Sequence, residues 1–151
     1  MTYKFTNSSQ KVIEIANDIA IELGHKYLGT EHILYGLAKE ENGLASKVLK
    51  MQGVTCENIL ENIRELIGED INKTGATLGF TPRTKRVIEN SFREAKKLGT
   101  DYIGTEHLLI GIMREGDSIA TRILMELNVD PTKLFNELVK IIESDDSNVG
   151  T

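Results

Sequence analysis

Apolar residues recur along this chain at three- and four-residue intervals, in short blocks parted by glycine, asparagine or threonine. Val12, Ala16, Ile19, Ala20 and Leu23 fall on one face of a helical projection. Thr6 stands where it can cap that helix, and Gly24 ends it. Thr30 can cap a second helix that turns Ile33, Leu34 and Leu37 inward, with Asn42-Gly43 as its break. A third helix carries Leu44, Val48 and Leu49 and stops near Gly53. Thr55 caps a fourth, with Ile59, Leu60, Ile63, Leu66 and Ile67 on its inner side.

The same pattern then starts again. Gly29-Thr30-Glu31-His32 returns 75 positions later as Gly104-Thr105-Glu106-His107. At that offset Phe5-Thr6 meets Phe80-Thr81, and Val12-Ile13-Glu14 meets Val87-Ile88-Glu89. No gap is needed between 5–67 and 80–142, and roughly a third of the paired positions are identical. The two prolines, Pro82 and Pro131, each follow a capping residue, Thr81 and Asp130, where proline does no harm to a helix. Asn128 stands in for Gly53, both being residues that tolerate a left-handed backbone.

No segment alternates like a strand, so the expected fold class is all-α. Two pseudo-symmetric four-helix repeats pack as one eight-helix domain. Repeat one covers about 5–67, a glycine-bearing linker 68–79, repeat two about 80–142, and a polar tail 143–151. A unit of about 65 residues is marginal as a private core, so the copies are expected to pack on each other.

Composition narrows the function. The formal charge is −5, which argues against general nucleic-acid binding. The apolar runs are far too short to span a membrane, and the first ten residues carry no signal pattern. A single cysteine, Cys56, excludes an internal disulfide framework and a cysteine zinc cluster, and makes a reducing, cytoplasmic location the expectation. There is no phosphate-binding G-x-x-x-x-G-K-[ST] loop and no H-E-x-x-H. His25, His32 and His107 are too few and too scattered for a metal site. The reading is a binding domain with no catalytic residue, no metal and no cofactor.

What the sequence does repeat is a turn followed by Thr-Glu at a helix start. Helix starts expose unpaired N–H groups and favour anions. Thr30 and Thr105 read as helix caps, and Glu31 and Glu106 as charges set against the dipole or as ligand contacts. Phe5 and Phe80 precede the first helix of each copy. They serve either as staples onto the core or as exposed apolar anchors. Lys11, Arg83 and Arg86 add positive charge to those same first helices.

Doubled four-helix repeats bearing Leu-Gly-His-x-Tyr-x-Gly-Thr-Glu-His, Phe-Thr-Pro-Arg and a second Gly-Thr-Glu-His resemble the Clp N-terminal domain family, most of all its ClpC-type members. The resemblance spans about residues 3–142. It implies a module that captures substrates and receives MecA-type adaptor proteins, ahead of ATPase modules in the same chain. A free-standing regulatory protein of the same fold is the alternative. The resemblance further implies recognition of phosphorylated arginine, with Glu31 and Glu106 taking the guanidinium in two equivalent sites. Thr30, Thr105, Thr6, Thr81 and Arg83 are then phosphate contacts, and Phe5 and Phe80 contact apolar peptide. Ser8 stands where the second copy has Arg83, so the first copy's site is expected to be the weaker.

Overall fold

The computed structural model describes residues 2–70, 75–77 and 79–149. Helices α1 (Asn7–Glu22), α2 (Thr30–Lys39), α3 (Leu44–Met51) and α4 (Cys56–Leu66) form the first half. Helices α5 (Pro82–Lys97), α6 (Thr105–Glu115), α7 (Ile119–Glu126) and α8 (Pro131–Val149) form the second. Two short strands, β1 (Lys4–Phe5) and β2 (Tyr102–Ile103), pair in parallel. The all-α, two-repeat architecture holds.

Local chemistry sets most of the helix ends. Thr6 and Thr81 cap α1 and α5, their hydroxyls accepting from the amides of Ser9 (3.2 Å) and Thr84 (3.1 Å). Thr55 and Asn58 close a reciprocal capping box on α4. Asn128 adopts φ 61°, matching φ 76° at Gly53. Gly36 and Gly111 let the first and second helices of each half cross closely. A Cβ on Gly36 would lie 2.5 Å from the Val12 carbonyl oxygen, and one on Gly111 2.6 Å from that of Val87.

The two motif threonines do not cap their own helices. Gly29 and Gly104 hold the cap positions of α2 and α6 in extended backbone. The cap acceptors are imidazoles three residues on: Nδ1 of His32 accepts from the Gly29 amide at 2.9 Å, and Nδ1 of His107 from Gly104 at 2.8 Å. This frees the threonines to reach across. The Thr30 hydroxyl accepts from the Ala120 amide at the start of α7 (3.2 Å). The Thr105 hydroxyl accepts from the Ala45 amide at the start of α3 (3.3 Å). Each half therefore caps a helix of the other.

The leading segments cross over too. Phe5 registers with Ile103, and Leu28 bridges Phe80. Beyond them α3 packs on α8 and α4 on α7, so the core is shared rather than split into two bundles. Val12, Leu34, Leu49 and Ile63 from one half, with Val87, Leu109, Leu124 and Leu138 from the other, are buried in one cluster.

Two expectations fail at helix ends. Leu66 and Ile67 are 40% and 43% exposed, because the last turn of α4 runs past the core; only Ile59 and Ile63 of that helix are fully buried. The polar segment after Glu143 continues α8 to Val149 instead of leaving the helix, since no glycine or proline interrupts it before Gly150. The segment 68–79 lies partly outside the described residues. Its near end is tied down by the Asp70 amide on the Leu23 carbonyl (2.9 Å), and Thr77 donates to Asn17 Oδ1 (2.7 Å).

Replacing Thr105 with valine leaves the buried Ala45 amide without an acceptor. A loss of about 1–3 kcal/mol in urea unfolding is expected. Thr30→Val should cost less, because α7 keeps the Ser118 side-chain cap whereas α3 has only Gly43. Equal stability of Thr105→Val and the parent chain would refute the cross-cap.

Candidate functional site

Because Thr30 ends its helix start against α7, the first Thr-Glu turn faces the second half of the molecule. Gly29, Thr30 and Glu31 line a hollow of about 360 Å3 whose far wall is Thr81 and Arg83 at the start of α5 with Asp117, Ser118 and Arg122 at and before α7. Four residues singled out from the sequence, Thr30, Glu31, Thr81 and Arg83, thus meet at one place. Arg122 joins them although the sequence reading missed it. The signal was present, since its repeat mate Lys47 is also basic.

Glu31 is only 6% exposed. Its carboxylate folds back over Gly29, where a Cβ would lie 2.2 Å from Oε1. Burial pushes its pKa above the ordinary carboxylate value, opposed by its own amide and by His25. A buried carboxylate facing an open hollow gains from any cation that enters. On the opposite wall Arg83 donates to the Asp117 carbonyl, and both arginines are exposed. The hollow therefore sets the buried Glu31, with the exposed Asp117 on the far wall, against two basic groups.

Arg83 corrects an expectation. It belongs with Glu31 of the first motif, not with Glu106 of its own repeat, because the first helix of each half runs up to the other half's motif. The Thr81 amide donates to Leu28 (3.1 Å) and the Thr6 amide to Ile103 (3.0 Å). The repeat mates of Arg83 and Arg122 are Ser8 and Lys47. Glu106 is half-buried and folds over Gly104 as Glu31 does over Gly29. Both arginines thus line the hollow of the first motif, whereas the sequence pairing set Arg83 with the second. The hydroxyls of Thr30 and Thr105 are engaged as cross-caps, and Thr6 also donates to Ser9 Oγ (3.1 Å). Arg86 pairs with Glu115 (2.6 Å).

Phe5 and Phe80 are half-buried and share one groove of about 260 Å3 with Tyr3 and Ile88, edged by Lys85 and Glu89. They are packed against the core and partly open to solvent. Among the described residues no three metal-ligating side chains come together, and no helix is long and apolar enough to cross a membrane.

This doubled frame can be placed among known proteins. Residues 4–127, and again 80–150, match the family described as the Clp repeat (R) N-terminal domain. The chain belongs to the Clp N-terminal domain family. It is 42% identical over 144 residues to the negative regulator of genetic competence ClpC/MecB of Bacillus subtilis, covering 95% of this chain and 18% of that protein. Its fold is similar to the N-terminal domain of the chaperone ClpD from Arabidopsis thaliana, with TM-score 0.76 and 24% identity over 95% of this chain and 97% of that one. A ClpV N-domain in complex with a VipB peptide is also similar in fold, with TM-score 0.66 and 16% identity over 93% and 88%. The chain spans 16% to 18% of the length of its curated relatives. Clp N-domains of this type are binding modules rather than catalysts.

In this Clp N-domain a pair of imidazoles supports the Glu31 turn. His32 Nδ1 accepts from Gly29, so its Nε2 carries the proton and donates to His25 Nδ1 (2.8 Å). His25 Nε2 then donates to the Gly68 carbonyl (2.7 Å), linking the motif to the end of α4. Burial, with His25 alongside, lowers the His32 pKa from 6.5 to about 3. The unfolded chain takes this proton near pH 6.5 and the folded chain does not until about 3. Its contribution to stability is therefore intact above about pH 6.5 and drains away as pH falls below it. The melting temperature should drop between pH 7 and pH 5. His32→Asn keeps a cap acceptor, as Asn58 does in α4, and should flatten that slope; an unchanged slope would exclude His32 as its source.

Proposed function

We propose that this chain is the substrate- and adaptor-recognition domain of a ClpC-type unfoldase, and that the Glu31 hollow receives phosphorylated arginine. The observation that carries this reading is a buried carboxylate facing two guanidinium side chains across one hollow. Phosphoarginine joins a cationic guanidinium to an anionic phosphoryl group. The Glu31 carboxylate takes the guanidinium N–H groups through charge-assisted bonds, and Arg83 and Arg122 take the phosphoryl oxygens. Thr81 lines the same hollow beside the start of α5.

Glu106 with Thr105 and Thr6 forms the second, weaker site. Two sites on one domain let a multiply marked chain engage twice. The shared Phe5–Phe80 groove takes an apolar side chain of the captured peptide or of a MecA-type adaptor, in keeping with the peptide carried by the related ClpV N-domain. The ATPase modules of the longer protein would then thread what this domain collects, in the cytoplasm.

Titration with phosphoarginine followed by amide NMR tests the reading. Resonances around Glu31, Arg83 and Arg122 should move first, at lower ligand concentration than those around Glu106. Glu31→Ala should abolish the first phase. Arg83→Ala with Arg122→Ala should weaken it by about tenfold or more, the scale of losing charged hydrogen bonds. Two phases of equal affinity, indifferent to both arginines, would sink the assignment.

A further inference from the structure

A second polar hollow, of about 620 Å3, lies between α2, α3 and the start of α4 and plays no part in the site above. Lys39 reaches it from the end of α2, and Lys47 and Lys50 from one face of α3. None of the three forms an ion pair with a described residue, in a chain whose net charge is −5. Ser46 lines the same hollow, is 8% exposed, and its hydroxyl bonds no described residue. Among the described residues no sealed side-chain oxygen lacks a partner, so the Ser46 hydroxyl opens into the hollow. Open to the hollow, that hydroxyl can bond a ligand that enters it.

The start of α4 is not the receptor. Thr55 and Asn58 close its capping box, and Glu57 holds its carboxylate on its own amide. The duplication supplies an internal control. The equivalent hollow in the second half is lined by Ile110, Met113, Pro131 and Phe135. Its single cation, Arg114, is already committed, to Glu94 at 3.1 Å and to the Phe135 ring at 5.6 Å. Where the first half has Lys50, the second has Met125. Lys39 rests on the Tyr35 ring at 5.6 Å as Arg114 does on Phe135, but only Arg114 is also ion-paired, so one fold carries a hollow with a paired cation on one side and three lysines without an ion pair, beside Glu41 and Glu57, on the other.

We propose that the hollow between α2, α3 and α4 docks an acidic peptide segment of a partner protein, with Lys39, Lys47 and Lys50 meeting its carboxylates and Ser46 bonding its backbone. The volume suits a peptide better than a lone phosphate, being in the range of sites that enclose sizeable ligands. Glu41 and Glu57 at the edge set lone carboxylates against the lysines, which disfavours a uniform polyanion such as nucleic acid.

A capped hexaglutamate peptide titrated into the chain, read by amide NMR, tests this. Shifts at Lys39, Ser46 and Lys50 are expected, weakening as salt rises from about 50 to about 500 mM. Lys39→Glu with Lys50→Glu should reduce affinity by at least about tenfold. Both lysines are exposed, so the variant keeps its fold, which circular dichroism checks. Ser46→Ala should weaken binding a few-fold without altering the salt slope. Saturation by inorganic phosphate at the same residues would overturn the peptide assignment, as would hexaglutamate shifts confined to Arg83 and Arg122. Phosphoarginine binding at Glu31 should survive the double reversal, so failure here and failure of the proposed function are separable.

Discussion

Two threonine hydroxyls hold this architecture together. Each is buried at the start of one half's second helix and accepts from an amide at the start of the other half's third helix. Parting the halves would expose the apolar faces of both and strand the Ala45 and Ala120 amides. A four-helix unit of this size has little core to spare. The exchange of caps and leading strands makes the two units one body. It also fixes where function can lie. The residue after each threonine is a glutamate, so the interlock that joins the halves sets a carboxylate at their junction.

The helices, the duplication and most of the caps were legible in the sequence because they rest on local rules. Periodicity, capping residues and glycine stops act over a few positions, and a 75-residue offset is visible by inspection. Partners across the interface were not legible. An offset says which residues are equivalent, not which are neighbours, and the crossover of the leading segments reverses the intuitive pairing. Arg83 was therefore placed with its own repeat and belongs to the other. Thr30 was read as its own helix's cap because threonine is a preferred cap; the actual acceptor is His32, an unusual choice that a propensity ranking does not suggest. Leu66 and Ile67 kept the inward period of α4 but lie beyond the core that the period implies.

The imidazole pair shows why the buried carboxylate is tolerable. Glu31 would be costly to bury on a free turn. Here the turn is pinned from behind by Gly29, His32, His25 and Gly68 in series, so the carboxylate is held at the hollow with little freedom to retreat into water. His32 must stay neutral to do this, since one ring nitrogen accepts and the other donates. The second motif has Thr100 where the first has His25, and its glutamate is the more exposed of the two.

The two halves thus share one frame and differ in the charges mounted on it. Arg83 and Arg122 in one setting face Ser8 and Lys47 in the other; Lys50 faces Met125. None of these positions caps a helix or fills the core, so they are free to vary without disturbing the interlock. The frame residues, Gly29 with Gly104, Thr30 with Thr105, His32 with His107 and Gly36 with Gly111, are the same in both halves because each meets a contact that another side chain would break. Identity at these positions therefore marks what builds the fold, and differences between the two halves' surfaces must be sought where the repeats disagree.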